Sequence, residues 1–278
     1  MTTLFDGLFD DAALFPPGDA PMAAAVPAHR ELRTRLGDLV GPFVVPATRL
    51  DELSVHLDVG PAFGISLIVS AGDLPAATRR VEDPGLHLAA VEVPVVADAE
   101  AAAEAVRALD EVLPATVPAA IEVPRSAARD EVLDVLAGTR YRAKLRTGGV
   151  RPELFPSAAE LAETLHACIA RDVAFKCTAG LHHAVRHTDP ATGFEHHGFL
   201  NLLLAVSAMS AGAPPQIAAE HLRDSDASRM VAALRTWPPQ RCERARALFT
   251  SFGTCSVLEP VDDLVALDLL PSPDRIPA

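Results

Sequence analysis

Short apolar runs alternate with helical stretches along most of the chain. This alternation constrains the fold most strongly, because repeated strand–helix units build parallel sheets. Helices rich in alanine, leucine, arginine and acidic residues are predicted over 97–112, 126–136 and 157–170, and Ser157 after Pro156 is a suitable N-cap for the last. The predicted strands are 13–15, 43–46, 65–70, 88–94, 119–124, 141–147, 174–178 and 252–256.

Eight strands in one chain favour a closed barrel over an open, doubly wound sheet. No Gly-x-Gly-x-x-Gly follows any predicted strand, which argues against a dinucleotide site. A chain of 278 residues with 49% hydrophobic residues has enough length and apolar content for one large core, since barrels of this kind commonly run to about 250 residues. We therefore predict an α/β fold, a (β/α)8 TIM barrel, as a single domain over 1–278.

One segment departs from this alternation of strands and helices. About seventy residues separate the last two predicted strands, where a single crossover usually needs about thirty. We interpret 181–250 as a His-rich helical insertion, with an apolar helix over 199–209. An insertion after a barrel strand lies on the face where active sites form, so a lid or a substrate-selecting segment is expected. Its histidines include His182, His183, His187, His196 and His197.

The chain has two lysines, Lys144 and Lys176, and arginine supplies the other 22 of its 24 cationic side chains. An ammonium group, unlike a guanidinium, can lose its proton when buried and then attack a carbonyl carbon. Both lysines lie in predicted strands rather than on exposed helices. This pattern suggests that the two sites use amine chemistry. The alternative is a compositional bias toward arginine in which these two lysines remain by chance.

Strand alternation predicts which side chains face the barrel interior. Tyr141, Ala143 and Leu145 are apolar and should pack under the outer helices, as should Val91, Val93, Ile121, Val123, Phe175 and Cys177. The side chains between them, with Thr178, should point inward. The interior charges are then Glu92, Glu122, Arg142, Lys144, Arg146 and Lys176. Buried charges must be paired, so these residues form either a structural ion-pair network or a functional site.

Three motifs in these strands resemble those of deoxyribose-phosphate aldolases and their class I relatives. Lys144-Leu-Arg-Thr147-Gly148-Gly149 resembles the Lys-x-x-Thr-Gly motif that carries the Schiff-base lysine on strand six. Lys176-Cys-Thr178-Ala-Gly180 resembles the Lys-x-Ser-x-Gly motif on strand seven. Phe252-Gly253-Thr254-Cys255-Ser256 is similar to the Ile-Gly-Thr-Ser-Ser of strand eight.

The resemblance implies roles for individual residues. Lys144 would be the nucleophile, Lys176 would favour its free amine, and Glu92 is the nearest counterpart of the acidic proton shuttle. Gly180, Gly253 and Ser256 would lie near an anionic substrate group. Together with the inward cations and the lid imidazoles, the candidate substrate-binding residues are Arg142, Arg146, Thr147, Gly148, Thr178, Gly180, His182, His183, Gly253 and Ser256.

Physical chemistry favours the same reaction without the resemblance. A lysine attacks a carbonyl only as the free amine, and burial together with the nearby cations Lys176, Arg142 and Arg146 is expected to disfavour the ammonium form of Lys144. The cations would also hold a substrate carboxylate or phosphate. Glu92 or Glu122 could move protons while a carbon–carbon bond is made or broken. We predict a lyase of the aldolase type that acts on a small anionic carbonyl compound and needs no cofactor or metal.

Two other functions fit the same residues. In a metal-dependent hydrolase or isomerase, the histidines of 181–250 and the inward glutamates would be the ligands, and the lysines would be electrostatic clamps. A non-catalytic barrel that binds an anionic metabolite would keep the arginines but tolerate loss of Lys144. Cys177 and Cys255 are weaker candidates for a nucleophile. Asp10 and Asp11 could either reach the barrel mouth or form an exposed acidic turn.

The net charge of −13 argues against nucleic acid or an anionic membrane as a partner. The four cysteines have no Cys-x-x-Cys spacing, and the N-terminus lacks the basic and apolar regions of a signal peptide. These observations lead us to expect a reduced, cytoplasmic protein whose partner is a small anion. A homo-oligomer is compatible with the sequence.

Overall fold

Eight parallel strands close into a barrel in the computed structural model, which describes residues 2–57, 60–81 and 85–271. Each strand pairs with its neighbours in sequence order, and the last barrel strand pairs with the first. The predicted (β/α)8 barrel is therefore confirmed. The barrel strands are β1 (Phe9–Asp11), β2 (Val40–Pro46), β3 (Phe63–Ile68), β4 (Leu86–Val93), β5 (Ala119–Glu122), β6 (Arg142–Arg146), β7 (Phe175–Thr178) and β10 (Phe249–Thr254).

Helices cover the outside of the barrel, and four of them lie in the segment between β7 and β10. Ser157 and Asp98 accept hydrogen bonds from the backbone N–H groups of Glu160 and Ala101, so both cap helices in the expected manner. The helices are α1 (Thr2–Phe5), α2 (Met22–Leu36), α3 (Leu50–Val55), α4 (Leu74–Arg80), α5 (Ala99–Val112), α6 (Arg129–Leu136), α7 (Ala158–Ala170), α8 (Phe199–Ser210), α9 (Pro215–Arg223), α10 (Ala227–Arg235), α11 (Pro239–Leu248) and α12 (Leu258–Ala266).

The prediction of the first strand at 13–15 is wrong. The strand is Phe9–Asp11, whereas Phe15 N–H donates to Ala12 O and Ala20 N–H donates to Ala13 O in turns. Two adjacent aspartates disfavour a strand by propensity, which hid β1 in the sequence. Both are buried instead of forming an exposed acidic turn, because Asp10 pairs with Lys176 and Asp11 accepts from the His29 ring at 2.9 Å.

The side chains predicted to face outward are buried between the strands and the helices. Tyr141 shows how this interface is organised, since its hydroxyl donates to Asp110 Oδ1 of α5 at 2.5 Å. Burial and this acidic neighbour raise the pKa of Tyr141 to about 12. The outward face of each strand therefore forms the main hydrophobic core, leaving the inner face free for polar residues.

The segment between β7 and β10 begins with a hairpin of β8 (His187–Thr188) and β9 (Glu195–His196), followed by α8 to α11. The α8 helix is buried along nearly its whole length. Its Phe199 ring contacts the outward rings of Phe9 and Phe252, with centroids 5.6 and 5.4 Å apart. Thus α8 is an outer-layer helix of the barrel, while the residues before it lie nearer the carboxyl ends of the strands. Within the described ranges, the structure contains no helix with the length and apolar character needed to span a membrane.

Candidate active site

Both lysines lie inside the barrel and contact the same carboxylate. Lys144 Nζ is 2.9 Å from Glu92 Oε2 and 3.2 Å from Glu122 Oε2. Lys176 Nζ is 2.5 Å from Glu92 Oε1 and 2.7 Å from Asp10 Oδ2. All five side chains are buried. Glu92 therefore bridges the two lysines at the centre of the barrel.

Strand register explains why these residues meet. Lys144 of β6 is the register partner of Lys176 on β7 and of Glu122 on β5. All three belong to the alternate set of residues that points inward. Glu92 reaches the same level from β4, and Asp10 reaches it from β1 across the closed barrel. Each charge is thus carried by a rigid strand rather than by a loop.

The ion pairs extend into a balanced chain, which we call the interior network: Asp10, Lys176, Glu92, Lys144, Glu122 and Arg146. At one end, Arg146 donates to Glu122 Oε1 through Nε at 3.1 Å. At the other, the Ser251 hydroxyl donates to Asp10 Oδ2 at 2.8 Å. The Ser66 hydroxyl also donates to Glu92 Oε1 at 2.8 Å. Three carboxylates face three cations, so the network is neutral overall.

The network fixes the charge of its central members. Burial alone would raise the pKa of Glu92, but Lys144 and Lys176 outweigh it and hold that pKa well below its ordinary value. Burial would likewise lower the pKa of Lys176, but Asp10 and Glu92 together hold it above its ordinary value. Glu92 remains a carboxylate and Lys176 remains an ammonium at neutral pH.

The expected ring of cations around Lys144 is not what the structure contains. Its direct partners are the carboxylates of Glu92 and Glu122. Arg142 lies two residues nearer the amino end of β6, where burial lowers its pKa and the charge of Asp10 opposes that shift. Sequence alternation identified the inward face correctly, but it could not give the level at which residues from neighbouring strands meet.

A cavity of about 300 Å³ opens above the interior network at the carboxyl ends of the strands. Four members of the network line it: Glu92, Lys144, Arg146 and Lys176. The remaining wall is mostly apolar and comes from β2, β3 and the loops. Its apolar lining includes Phe15, Val44, Ile68, Val150 and Leu154. The cavity is therefore lined by both charged groups and apolar side chains.

Some predicted substrate-binding residues line this cavity or the one beside it, and others do not. Arg146, Thr178, His182 and Gly253 line the first cavity. Gly180 and His183 line a second cavity of about 430 Å³, which shares His182 and Cys255 with the first. Four predicted residues line neither: Arg142, Thr147, Gly148 and Ser256.

Arg142 lies at the amino end of β6, and the other three have different structural surroundings. The Thr147 hydroxyl is buried and donates to the Ala179 carbonyl. Gly148 packs against Gly180 so tightly that a Cβ on Gly148 would come within 2.7 Å of Gly180 Cα. The Ser256 backbone N–H donates to Thr254 Oγ1 at 3.4 Å. The Thr-Gly portion of the first motif therefore joins two loops instead of lining a cavity.

Asp10 is the main site residue that sequence reasoning failed to assign. It contacts Lys176, yet the two residues are 166 positions apart in the chain. Strand alternation places Asp10 on the inner face, between the outward Phe9 and Asp11. This assignment can be made only once β1 is placed at Phe9–Asp11. The apolar wall was also missed, because Phe15 and Val150 come from loops and Leu154 from a short 3₁₀ helix, Pro152–Leu154.

The histidines of 181–250 do not gather around the inward glutamates. His183 Nδ1 is 3.1 Å from Asp263 Oδ2, and buried His197 donates through Nε2 to Pro156 O at 2.8 Å. His187 and His196 lie close together, with ring centroids 5.1 Å apart. The alternative metal site, built from these five histidines and the inward glutamates, is therefore not assembled among the described residues.

A different group meets beside the two cavities. His182 Nδ1 is 3.0 Å from Glu259 Oε2 and 3.6 Å from Cys255 Sγ. Burial lowers the pKa of His182 and raises that of Cys255 to about 11, so the imidazole and thiol are neutral at pH 7. Cys177 faces the helices as predicted, and burial raises its pKa strongly. Cys177 is thus inert packing.

Comparison with known proteins gives one structural similarity. The chain resembles a solved structure described as a "putative fructose-1,6-biphosphate aldolase" from Coccidioides immitis, with 11% sequence identity and a TM-score of 0.41. The alignment covers 99% of this chain and 96% of that chain. No protein-family model and no curated protein matches the sequence.

Proposed function

We propose that the protein is a lyase of the aldolase type that forms a Schiff base between Lys144 and a small anionic carbonyl compound. One observation carries the proposal: buried Lys144 lines a cavity and contacts two carboxylates at 2.9 and 3.2 Å. A lysine nucleophile needs a nearby group that removes its proton and a cavity that admits the carbonyl compound. Lys144 has both.

We assign the nucleophile to Lys144 because Lys176 is held as a cation. Asp10 and Glu92 hold the pKa of Lys176 above its ordinary value, which keeps Lys176 as a cation. A permanent cation beside the reacting carbon would hold the substrate anion and stabilise developing negative charge. The two lysines therefore take different roles although they share Glu92 as a partner.

Glu122 is the candidate proton carrier. Glu92 is a poor base because two lysines hold its pKa low. Glu122 accepts one proton from Lys144, and the free amine attacks the carbonyl carbon. The former carbonyl oxygen then receives one proton from the attacking nitrogen and one from Glu122, and it leaves as water. The ammonium and the carbonyl compound thereby give an iminium ion and one water. The iminium next accepts the electron pair of the adjacent carbon–carbon bond, while Glu122 removes the proton of the substrate hydroxyl.

The cavity indicates the substrate class. Its volume of about 300 Å³ is at the small end for ligand sites, and Lys176 and Arg146 supply positive charge. A carboxylate or a phosphate would neutralise them. The apolar wall formed by Val44, Ile68 and Leu154 fits a short carbon chain. We propose a small keto acid or a phosphorylated aldehyde or ketone.

Reductive trapping tests the proposal. The protein is incubated with sodium borohydride and a panel of small keto acids, aldehydes and sugar phosphates, and its intact mass is measured. We expect one compound to add the mass of its reduced adduct, and peptide mapping should locate it on Lys144. The chain's two lysines make this assignment direct. Unchanged mass across the whole panel would overturn the proposal.

Matched variants separate the roles of the two lysines. Lys144→Arg should abolish the adduct while keeping a cation in the network, whereas Lys176→Arg should still form it at a lower rate. An adduct on Lys176 or on the N-terminus of the wild-type protein would contradict the assignment of Lys144.

The charge balance of the interior network favours a second candidate, a non-catalytic barrel that binds an anionic metabolite. Each of its carboxylates already has a cationic partner, as in a structural network. Calorimetric binding of a panel compound that leaves no adduct in wild-type protein would support this function over the lyase.

A further inference from the structure

The residues His182, Cys255 and Glu259 meet at the carboxyl end of the barrel although they come from separate elements. Cys255 directly follows β10, Glu259 lies in the first turn of α12, and His182 follows β7. Their ligand atoms all lie within 4.8 Å of one another. An imidazole, a thiol and a carboxylate are the three donor types that bind zinc in proteins.

Two of the three distances between the ligand atoms are close to those around one ion. Tetrahedral zinc with ordinary bonds to nitrogen, sulfur and oxygen separates its ligand atoms by about 3.4–3.6 Å. The distance from His182 Nδ1 to Cys255 Sγ is 3.6 Å, and the distance from His182 Nδ1 to Glu259 Oε2 is 3.0 Å. Relative to His182, the carboxylate would need to move outward by about 0.4 Å. The third pair, Cys255 and Glu259, lies within 4.8 Å, and the Glu259 side chain can adjust because it is 42% exposed.

The surroundings leave a fourth position open. His182 and Cys255 line both cavities, and Glu259 lines the second. Structural zinc sites have four protein ligands, whereas catalytic sites have three and an exchangeable fourth. We propose that His182, Cys255 and Glu259 form a zinc site whose fourth position faces these cavities. An ion there would bind a substrate oxygen or polarise a carbonyl group.

Zinc binding is tested with protein that has been treated with a chelator and dialysed. Isothermal titration with Zn²⁺ alone should show one ion per chain. His182→Ala, Cys255→Ser and Glu259→Gln should each weaken binding more than about a hundredfold, because even loss of a second-shell partner commonly costs about 10–100-fold. Cobalt should give a thiolate charge-transfer band that disappears in Cys255→Ser.

The controls are nearby residues of the same types. His183→Gln removes an imidazole that pairs with Asp263, and Cys242→Ser removes a half-buried thiol on α11. Both should bind zinc as the wild type does. Circular dichroism checks each fold, and the partly exposed Glu259 provides a variant that does not disturb the core.

Two outcomes would overturn the proposal: wild-type protein that binds no zinc, or zinc affinity that the three ligand variants leave unchanged. Neither outcome depends on whether the protein is a lyase. Lys144→Met should bind zinc normally, and trapping on Lys144 is measured in chelator-treated protein, so the two proposals fail separately.

Discussion

Glu92 holds the two halves of the interior network together at the scale of single residues. It contacts Lys144, Lys176 and the Ser66 hydroxyl, whereas Lys144 contacts two carboxylates. Without Lys144, Asp10 and Glu92 share Lys176 and Glu122 keeps Arg146. The network then carries one net negative charge, which a proton on Asp10 removes, because burial raises the pKa of Asp10. Without Glu92, two cations share Glu122 and the buried network carries a net positive charge.

This asymmetry predicts the effect of substitutions on stability. Glu92→Leu should lower the free energy of unfolding by about 3–5 kcal/mol, since it leaves buried charge uncompensated. Lys144→Met should cost less. The double variant should be more stable than Glu92→Leu alone, because the pairs Asp10–Lys176 and Glu122–Arg146 then balance. Urea unfolding of the wild type, the two single variants and the double variant measures this double-mutant cycle. Strictly additive losses of free energy would argue against the network.

At the scale of elements, the loops after β6 and β7 pack closely against each other at Gly148 and Gly180. A Cβ on Gly148 would lie 2.6 Å from Phe155 Cε1, and one on Gly180 would lie 2.6 Å from Gly148 Cα. Gly180 also has a positive φ of 77°. These loops carry Gly149 and Ala179, which line both cavities. The contact therefore sets the shape of the barrel mouth.

We expect Gly148→Ala to lower the free energy of unfolding by about 1–3 kcal/mol, because the loops must separate to admit the methyl group. Gly180→Ala should cost at least as much, since its backbone conformation is also strained. Gly72→Ala is the matched control: a Cβ there has nothing within 4 Å, and a change within about 0.5 kcal/mol is expected. Thermal unfolding gives the comparison. Equal behaviour of all three variants would contradict the close approach of the loops.

Buried histidines link the stability of the whole molecule to pH. Burial is the main cause that lowers the pKa of His182, His196 and His197, and the cation Arg186 adds to it at His197. The unfolded chain binds protons first at about pH 6.5, the ordinary histidine value. The contribution of these neutral imidazoles to the free energy of unfolding is therefore fully present above that pH. It is lost as the pH falls toward the lower pKa values of the folded state.

His197 offers a direct test, because it is 1% exposed and its Nδ1 has no hydrogen-bond partner among the described residues. The wild-type free energy of unfolding should decrease between pH 6.5 and 5, and His197→Gln should reduce the slope by up to one proton, about 1.4 kcal/mol per pH unit. Urea unfolding at pH 8, 7, 6 and 5 measures it. An equal effect from His166→Gln, whose side chain is exposed, would contradict the assignment to His197.

The sequence by itself determined the barrel and four of the charged residues on its inner face. Apolar runs and helical stretches alternate along most of the chain, and Cβ atoms alternate along any strand, so Glu92, Glu122, Lys144 and Lys176 could be assigned to one side without coordinates. The tertiary structure alone decided which of them touch. Barrel closure brings Asp10 to Lys176 across 166 positions and joins His182 to Cys255 and Glu259. Such contacts depend on strand register and loop paths, which are set by packing between distant segments and leave no local pattern in the chain.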